Sequence, residues 1–227
     1  MALKAASPPQ PAPHDPEREI RILRNLAGQN DHIIQLVTTF RHSQHLVLVF
    51  PFITFPLDHV LLTPALIDAN RKKEILFGLM SGLDFIHSKG VIHRDIKPSN
   101  ILLPSVSAGP AKIIDFGTAW MRGDFASEPA NKKILDVGTT CYRAPELLFG
   151  NQSYDFSLDM WAAGCVAAEV IVPAERRGRK NGEERGLFIA GDLGSELQLI
   201  QSIFTTLGTP DEHSWPVSMT LGDDCLV

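Results

Sequence analysis

The sequence predicts an α+β chain, with a small strand-bearing part first and a larger, mostly helical part after it. Three observations carry this reading. Two short β-type runs, 33–40 and 45–52, follow a single amphipathic helical stretch near the N-terminus. A long helical pattern then occupies 65–88. An almost wholly apolar helical pattern occupies 157–171.

Taken in order, residues 5–16 hold five prolines and read as an extended connector. From Glu17, residues Ile20, Leu23 and Leu26 recur at helical spacing among charges, with Ile22 beside them and Gly28 at the end. The two β-type runs are separated by a polar turn, Arg41-His42-Ser43-Gln44. Pro51 and Pro56 then break the chain. In the long pattern Ile75, Leu79, Leu83 and Ile86 make one stripe, and Gly90 reads as its left-handed terminator. Gly78 and Gly82 weaken that helix, which points to close packing there. Short β-like pieces follow at Val91-Ile92, 101–103 and 112–114, and residues 117–140 read as loop. Residues 173–186 mix five cations with three carboxylates and read as a solvated loop, with a nuclear-import patch as the lesser reading. A final helix over 194–207 precedes Gly208-Thr209-Pro210.

Composition narrows the function classes. The 227 residues suit one generous domain or two small lobes. Hydrophobic content of 44% and charged content of 21% exclude global disorder. A net charge of −5 argues against a nucleic-acid partner. No apolar run approaches the roughly 18 residues that span a bilayer, and Met1–Pro16 lacks the apolar stretch of a secretory signal. Cys141, Cys165 and Cys225 fit neither a metal spacing nor a disulfide framework, so a reducing compartment is expected.

The strongest signal is His93-Arg94-Asp95-Ile96-Lys97-Pro98-Ser99-Asn100, followed by Asp115-Phe116-Gly117 and Ala144-Pro145-Glu146. In this order and spacing the three motifs resemble those of the eukaryotic protein kinases. The resemblance implies a two-lobed kinase-like fold, ATP and Mg²⁺ as cofactors, and a protein substrate. The chemistry explains the residue types, because phosphoryl transfer is mostly positioning and charge neutralisation. Asp95 would orient or accept the substrate hydroxyl proton. Asn100 and Asp115 offer hard oxygen ligands for Mg²⁺. Lys97 would offset charge on the transferred group, a placement that resembles serine/threonine rather than tyrosine kinases.

Carried residue by residue, the resemblance makes Lys4, in Met1-Ala2-Leu3-Lys4, the lysine for the α- and β-phosphates, with Glu19 as its ion-pair partner. Phe50 matches the gatekeeper, and Phe52 and Ile53 the hinge that meets adenine. Ala2 and Leu102 would be the apolar plates on either side of the base. Leu23, Leu36, His93 and Phe116 match a stacked regulatory spine, and Asp159 the residue that holds the catalytic-loop backbone. The implied division is a partial small lobe over 1–54 and a large lobe over 55–227 that lacks its last helices.

Within the family the chain resembles the cyclin-dependent group, through Tyr142-Arg143 before Ala144 and the stretch from Leu187 to Glu212. The position of the phosphorylated threonine falls on Ile134. Two arginines of the phosphate clamp are present, Arg18 and Arg94, while the third position is Trp120. That combination resembles the single-subunit fungal kinases that activate cyclin-dependent kinases, and implies an activation segment held by packing without phosphorylation. Thr139 matches the threonine that contacts Asp95 and Lys97. Gly138 suits a left-handed backbone, with Arg143 satisfying the carbonyl there and leaving an open site for a proline after the phosphoacceptor. Another kinase is the implied substrate and a cyclin a further partner, with no nucleic acid or membrane, in nucleus and cytoplasm. The resemblance implies a glycine-rich loop before Lys4 and further helices after Asp211, and the expectation is that this chain lacks both. The expectation from those ends is weak Mg-ATP binding, a loosely held Lys4–Glu19 pair, and Glu146 without its arginine. The alternative function is an inactive pseudokinase-like module that docks a cyclin or kinase.

Overall fold

The computed structural model describes residues 1–6, 12–172, 186–191, 194–211 and 213. Strands β1 (Ala2–Ala6), β2 (Thr38–His42) and β3 (His45–Phe50) form an antiparallel sheet in the order β1-β3-β2. His42 pairs with His45, so only Ser43 and Gln44 make the turn. Ser43 takes the positive φ, 55°, that a two-residue hairpin needs at its first central position. The run expected from residue 33 becomes a strand only at Thr38. Ile33 instead forms an isolated parallel bridge to Ile113, and both isoleucines are buried in the core.

Helix α1 (Pro16–Leu26) is started by Asp15, whose side chain accepts from the N–H groups of Glu17 and Arg18 at 3.0 Å each. Pro16 at the first helical position needs no partner for a missing N–H. Ile20, Ile22, Leu23 and Leu26 face the core, and so do the charged Arg18 and Glu19. The expected connector ends in β1 on one side and α1 on the other; residues 7–11 lie outside the described residues.

A short helix α2 (Leu57–Val60) precedes α3 (Ala69–Ser88). α3 begins later than the pattern suggested because residues 64–66 form a separate 3₁₀ turn and Asp68 caps the helix, accepting from Arg71 N at 2.7 Å. A Cβ at Gly78 would lie 2.8 Å from His32 Nδ1, and one at Gly82 would lie 2.8 Å from Ile113 Cδ1. Those two glycines let α3 lie directly against the chain around residues 32 and 113, as the sequence suggested. Each fully buried Ile or Leu of the stripe contributes about 1.5–3 kcal/mol, which makes α3 the anchor of the site loops that follow it.

Strands β4 (Phe55–Pro56), β6 (Ile101–Leu103) and β7 (Lys112–Ile113) form a second small sheet, and β5 (Val91–Ile92) pairs with β8 (Trp120–Met121). β8 lies inside the stretch read as loop. Helices α4 (Pro145–Leu148), α5 (Ser157–Ile171) and α6 (Glu196–Leu207) complete the order, with Ser195 capping α6 and Gly208 ending it at φ 94°. The charged stretch at 173–185 and Cys225 lie outside the described residues.

Candidate active site

The loop after β5 is built around one buried carboxylate. Asp159, in the first turn of α5, accepts from the N–H of His93 at 2.8 Å and of Arg94 at 2.9 Å, and bonds the His87 ring at 2.8 Å. Arg94 has φ 71°, a left-handed backbone that a bulky residue adopts only when its surroundings enforce it. Asp159 supplies that enforcement. His93 then joins the loop to the next motif: its Nε2–H donates to Ile114 O at 2.9 Å while its Nδ1 accepts from Asp95 N at 3.2 Å. Its ring meets Phe116 edge-on, with centroids 4.9 Å apart. His93, Phe116 and Leu23 are buried, and Leu36 packs partly buried against the same core.

Asp95 lies at the centre of a closed polar network. Its Oδ1 accepts from Thr139 Oγ1 at 2.8 Å, its Oδ2 accepts from Asn100 Nδ2 at 3.0 Å, and Lys97 Nζ lies 2.8 Å from Oδ2. Lys97 also donates to Thr139 Oγ1 at 2.7 Å. Because the Asn100 amide nitrogen serves Asp95, its carbonyl oxygen remains an acceptor, the form a hard cation needs.

Across the site, Lys4 Nζ lies 2.8 Å from both Glu19 carboxylate oxygens and 2.6 Å from Asp115 Oδ1. The strand that carries Lys4, β1, is paired with β3 along its whole length from Ala2↔Phe50 to Ala6↔Leu46. Burial opposes the Lys4 ammonium, but the Glu19 and Asp115 carboxylates outweigh it and hold Lys4 above the ordinary lysine value. At Glu19, only 2% exposed, burial wins and raises the carboxyl despite Lys4. At Asp115 burial would also raise it, yet Lys4 reverses the sign and keeps it below the usual aspartate range. A Cβ at Gly117 would sit 3.2 Å from both Lys4 Nζ and Asp115 Oδ1, so glycine there leaves the cluster room.

The other residues expected on the nucleotide side are placed by the strands and the chain after β3. Ala2 pairs with Phe50 across the sheet, Leu102 pairs with Pro56, and Ile53 is partly buried while Phe52 is 67% exposed. Among the described residues no three His, Cys, Asp or Glu side chains converge on one point. One carboxylate and one amide oxygen suit Mg²⁺, which keeps waters and phosphate oxygens in its shell instead of filling it from protein alone.

The activation segment holds the features that sequence reasoning missed. Arg94 donates through both terminal nitrogens to Glu128, at 3.2 and 3.1 Å. Arg21 of α1 grips both Asp124 oxygens through its Nε and one terminal nitrogen, at 2.7 and 3.0 Å. Trp120 Nε1 donates to Glu128 O at 2.8 Å. The segment is therefore held by ion pairs as well as by the packing that was expected. Ile134 joins an apolar cluster with Trp120 and Tyr154. Two retained arginines with no phosphate acceptor demanded another anion, and that was the signal available in the sequence. Gly138 has φ 78°, but Arg143 Nε donates to Val137 O at 3.0 Å, one residue before the expected carbonyl. The Arg143 guanidinium also pairs with Asp136 and Glu196. Glu146 accepts from Ser157 Oγ at 3.1 Å.

The protein kinase domain family model matches residues 1–211. Cyclin-dependent kinase D-1 of Arabidopsis thaliana is 36% identical over 208 residues, covering 91% of this chain and 46% of that protein. Cyclin-dependent kinase 7 of Xenopus laevis is 37% identical over 212 residues, covering 91% and 53%. The chain spans about half the length of these curated relatives. Among solved structures, a chain in the crystal structure of the yeast RNA Pol II CTD kinase CTDK-1 complex is similar at TM-score 0.71 and 28% identity, covering 96% of this chain and 65% of that one. With the catalytic loop, the ion-paired lysine and the fold all in the same register, the chain belongs to the protein kinase domain family.

Proposed function

We propose that this chain supplies the catalytic centre of a protein serine/threonine kinase, moving the γ-phosphate of ATP to a hydroxyl of another protein. The observation that carries this reading is the closed network of Asp95, Lys97, Asn100 and Thr139, joined through His93 and Ile114 to the Lys4–Glu19–Asp115 cluster. Mg-ATP supplies the transferable phosphoryl group and the cation that neutralises its charge. Lys4 and Asp115 bind and orient it, Asp115 and Asn100 as the metal ligands. Asp95 orients the acceptor hydroxyl and takes its proton. Lys97 offsets negative charge beside it, while the Thr139 hydroxyl fixes the spacing between the two. Similarity to cyclin-dependent kinases 7 and D-1 supports a substrate in the same class as theirs, and our reading is that the acceptor lies on another kinase. The left-handed Gly138 beside Arg143 supports a preference for proline after the acceptor.

Mg²⁺ titration of transfer from radiolabelled ATP tests the reading. In the full-length protein Asp115→Asn is expected to lower the rate by a hundredfold or more and to shift the Mg²⁺ requirement upward. A variant with unchanged rate and unchanged Mg²⁺ dependence would contradict the metal assignment.

A further inference from the structure

Two guanidinium groups lie inside this protein where the activation segment passes α1. Arg94 is 2% exposed and Arg18 is 3% exposed. Arg18 donates to backbone oxygens of Ala126 and Pro13, and Arg94 donates to both oxygens of Glu128. The Nε of each arginine is buried without a hydrogen-bond partner. Two like charges at this depth repel and need an anion between them. Burial lowers the Arg18 value, the Glu128 carboxylate opposes that, and Arg94 adds to it. Burial alone would raise the Glu128 carboxyl, but the Arg94 hydrogen bond and charge reverse this and keep it below the usual glutamate range.

The backbone around Glu128 is pinned on both sides. Trp120 Nε1 donates to Glu128 O, and Ser127 Oγ accepts from Met121 N at 3.1 Å. A cavity of about 370 Å³ lies alongside, bordered by Pro13, Arg18, Ala126, Glu128 and Ile134. A phosphate ester carries about two negative charges near neutral pH and a carboxylate one. Against that single charge stand Arg18, Arg94 and the buried Lys133, whose Nζ lies 4.9 Å from the centroid of the Trp120 ring and which acts on both Arg94 and Glu128, while the Trp120 indole binds the segment's backbone.

We propose that Glu128 is the permanent anion of the activation segment, a positioning residue whose carboxylate occupies the place of a phosphate against Arg18 and Arg94. It touches no reacting atom. It acts through Arg94, the residue next to Asp95, and through the course of the segment that ends at Thr139. Its effect on rate rests on the kinase reading above, whereas its effect on segment order does not.

Peptide-resolved hydrogen exchange on the full-length protein separates the two. Glu128→Ala is expected to speed exchange across residues 120–136 at least tenfold while leaving α3 unchanged. Inorganic phosphate at tens of millimolar should then slow exchange in the variant towards wild type, by filling the vacated place, and should leave the wild-type segment unaffected. Glu128→Asp should be intermediate. Transfer rate should fall with Glu128→Ala and recover with phosphate in parallel. Unchanged exchange in Glu128→Ala, or acceleration that phosphate does not reverse, overturns the proposal. If exchange behaves as expected but wild type transfers no phosphoryl group, the Glu128 assignment stands and the kinase reading fails.

Discussion

One hydroxyl connects the two charged side chains at the centre of the site. Thr139 Oγ1 donates to Asp95 and accepts from Lys97, which uses its single proton and one lone pair at once. Valine has nearly the same shape and can do neither. Thr139→Val is therefore expected to lower kcat by about tenfold or more, equivalent to about 1.4 kcal/mol in the barrier, with little change in the KM for ATP. Thr139→Ser should restore most of the rate. A Thr139→Val enzyme with wild-type kcat would remove the hydroxyl from the account. At this scale the sequence was highly legible, since Asp95, Lys97, Asn100, Asp115 and Thr139 carry their chemistry at short, fixed spacings. Glu128 was not legible, because its role depends on where a loop of irregular backbone turns back towards Arg94. Arg143 was misassigned by one carbonyl for a similar reason: the left-handed turn at Gly138 decides which peptide oxygen meets the guanidinium.

Helix α1 is the element on which the two halves of the site depend. It carries Glu19 for Lys4, Arg18 beside Glu128, and Arg21 for Asp124. The forked Arg21–Asp124 contact ties the helix to the activation segment, and its hydrogen bond is the main reason Asp124 sits below the usual aspartate range. Because the folded value is depressed, the contact stabilises fully above the unfolded aspartate value of about 3.9 and loses that effect as pH falls through the folded value. Asp124→Asn should destabilise the protein by about 1.5 kcal/mol at neutral pH. The difference from wild type should shrink as pH drops below about 4. Urea melts of both proteins across that range check it, and a difference constant with pH would show that the ion pair is not the cause. The extent of α1 was readable from the helical recurrence of Ile20, Leu23 and Leu26 with Gly28 after them, whereas its start at Pro16, capped by Asp15, fell inside the stretch read as connector. The β-type run from residue 33 was not, since Ile33 and Ile34 look the same whether they extend a strand or fill the core beneath α3.

For the whole molecule, three small sheets and the α3–α5 packing bring chemistry from distant parts of the chain to one place. Lys4 and Asp115 are separated by 111 positions, and their contact joins the β1–β3 sheet to the loop that follows β7. The order of strands then helices made the architecture legible, while the short strands β4 and β8 were recognisable only through their partners. Phosphoryl transfer by this assembled set turns on Asp95 as the residue that handles the acceptor proton. Single-turnover transfer from radiolabelled Mg-ATP, measured alongside calorimetric ATP binding for the full-length wild type and for Asp95→Asn, tests it most directly. The predicted result is equal ATP affinity in the two proteins and a transfer rate lower by about 10²–10⁴-fold in the variant; equal transfer rates, or a wild type that binds ATP and transfers nothing, would contradict it.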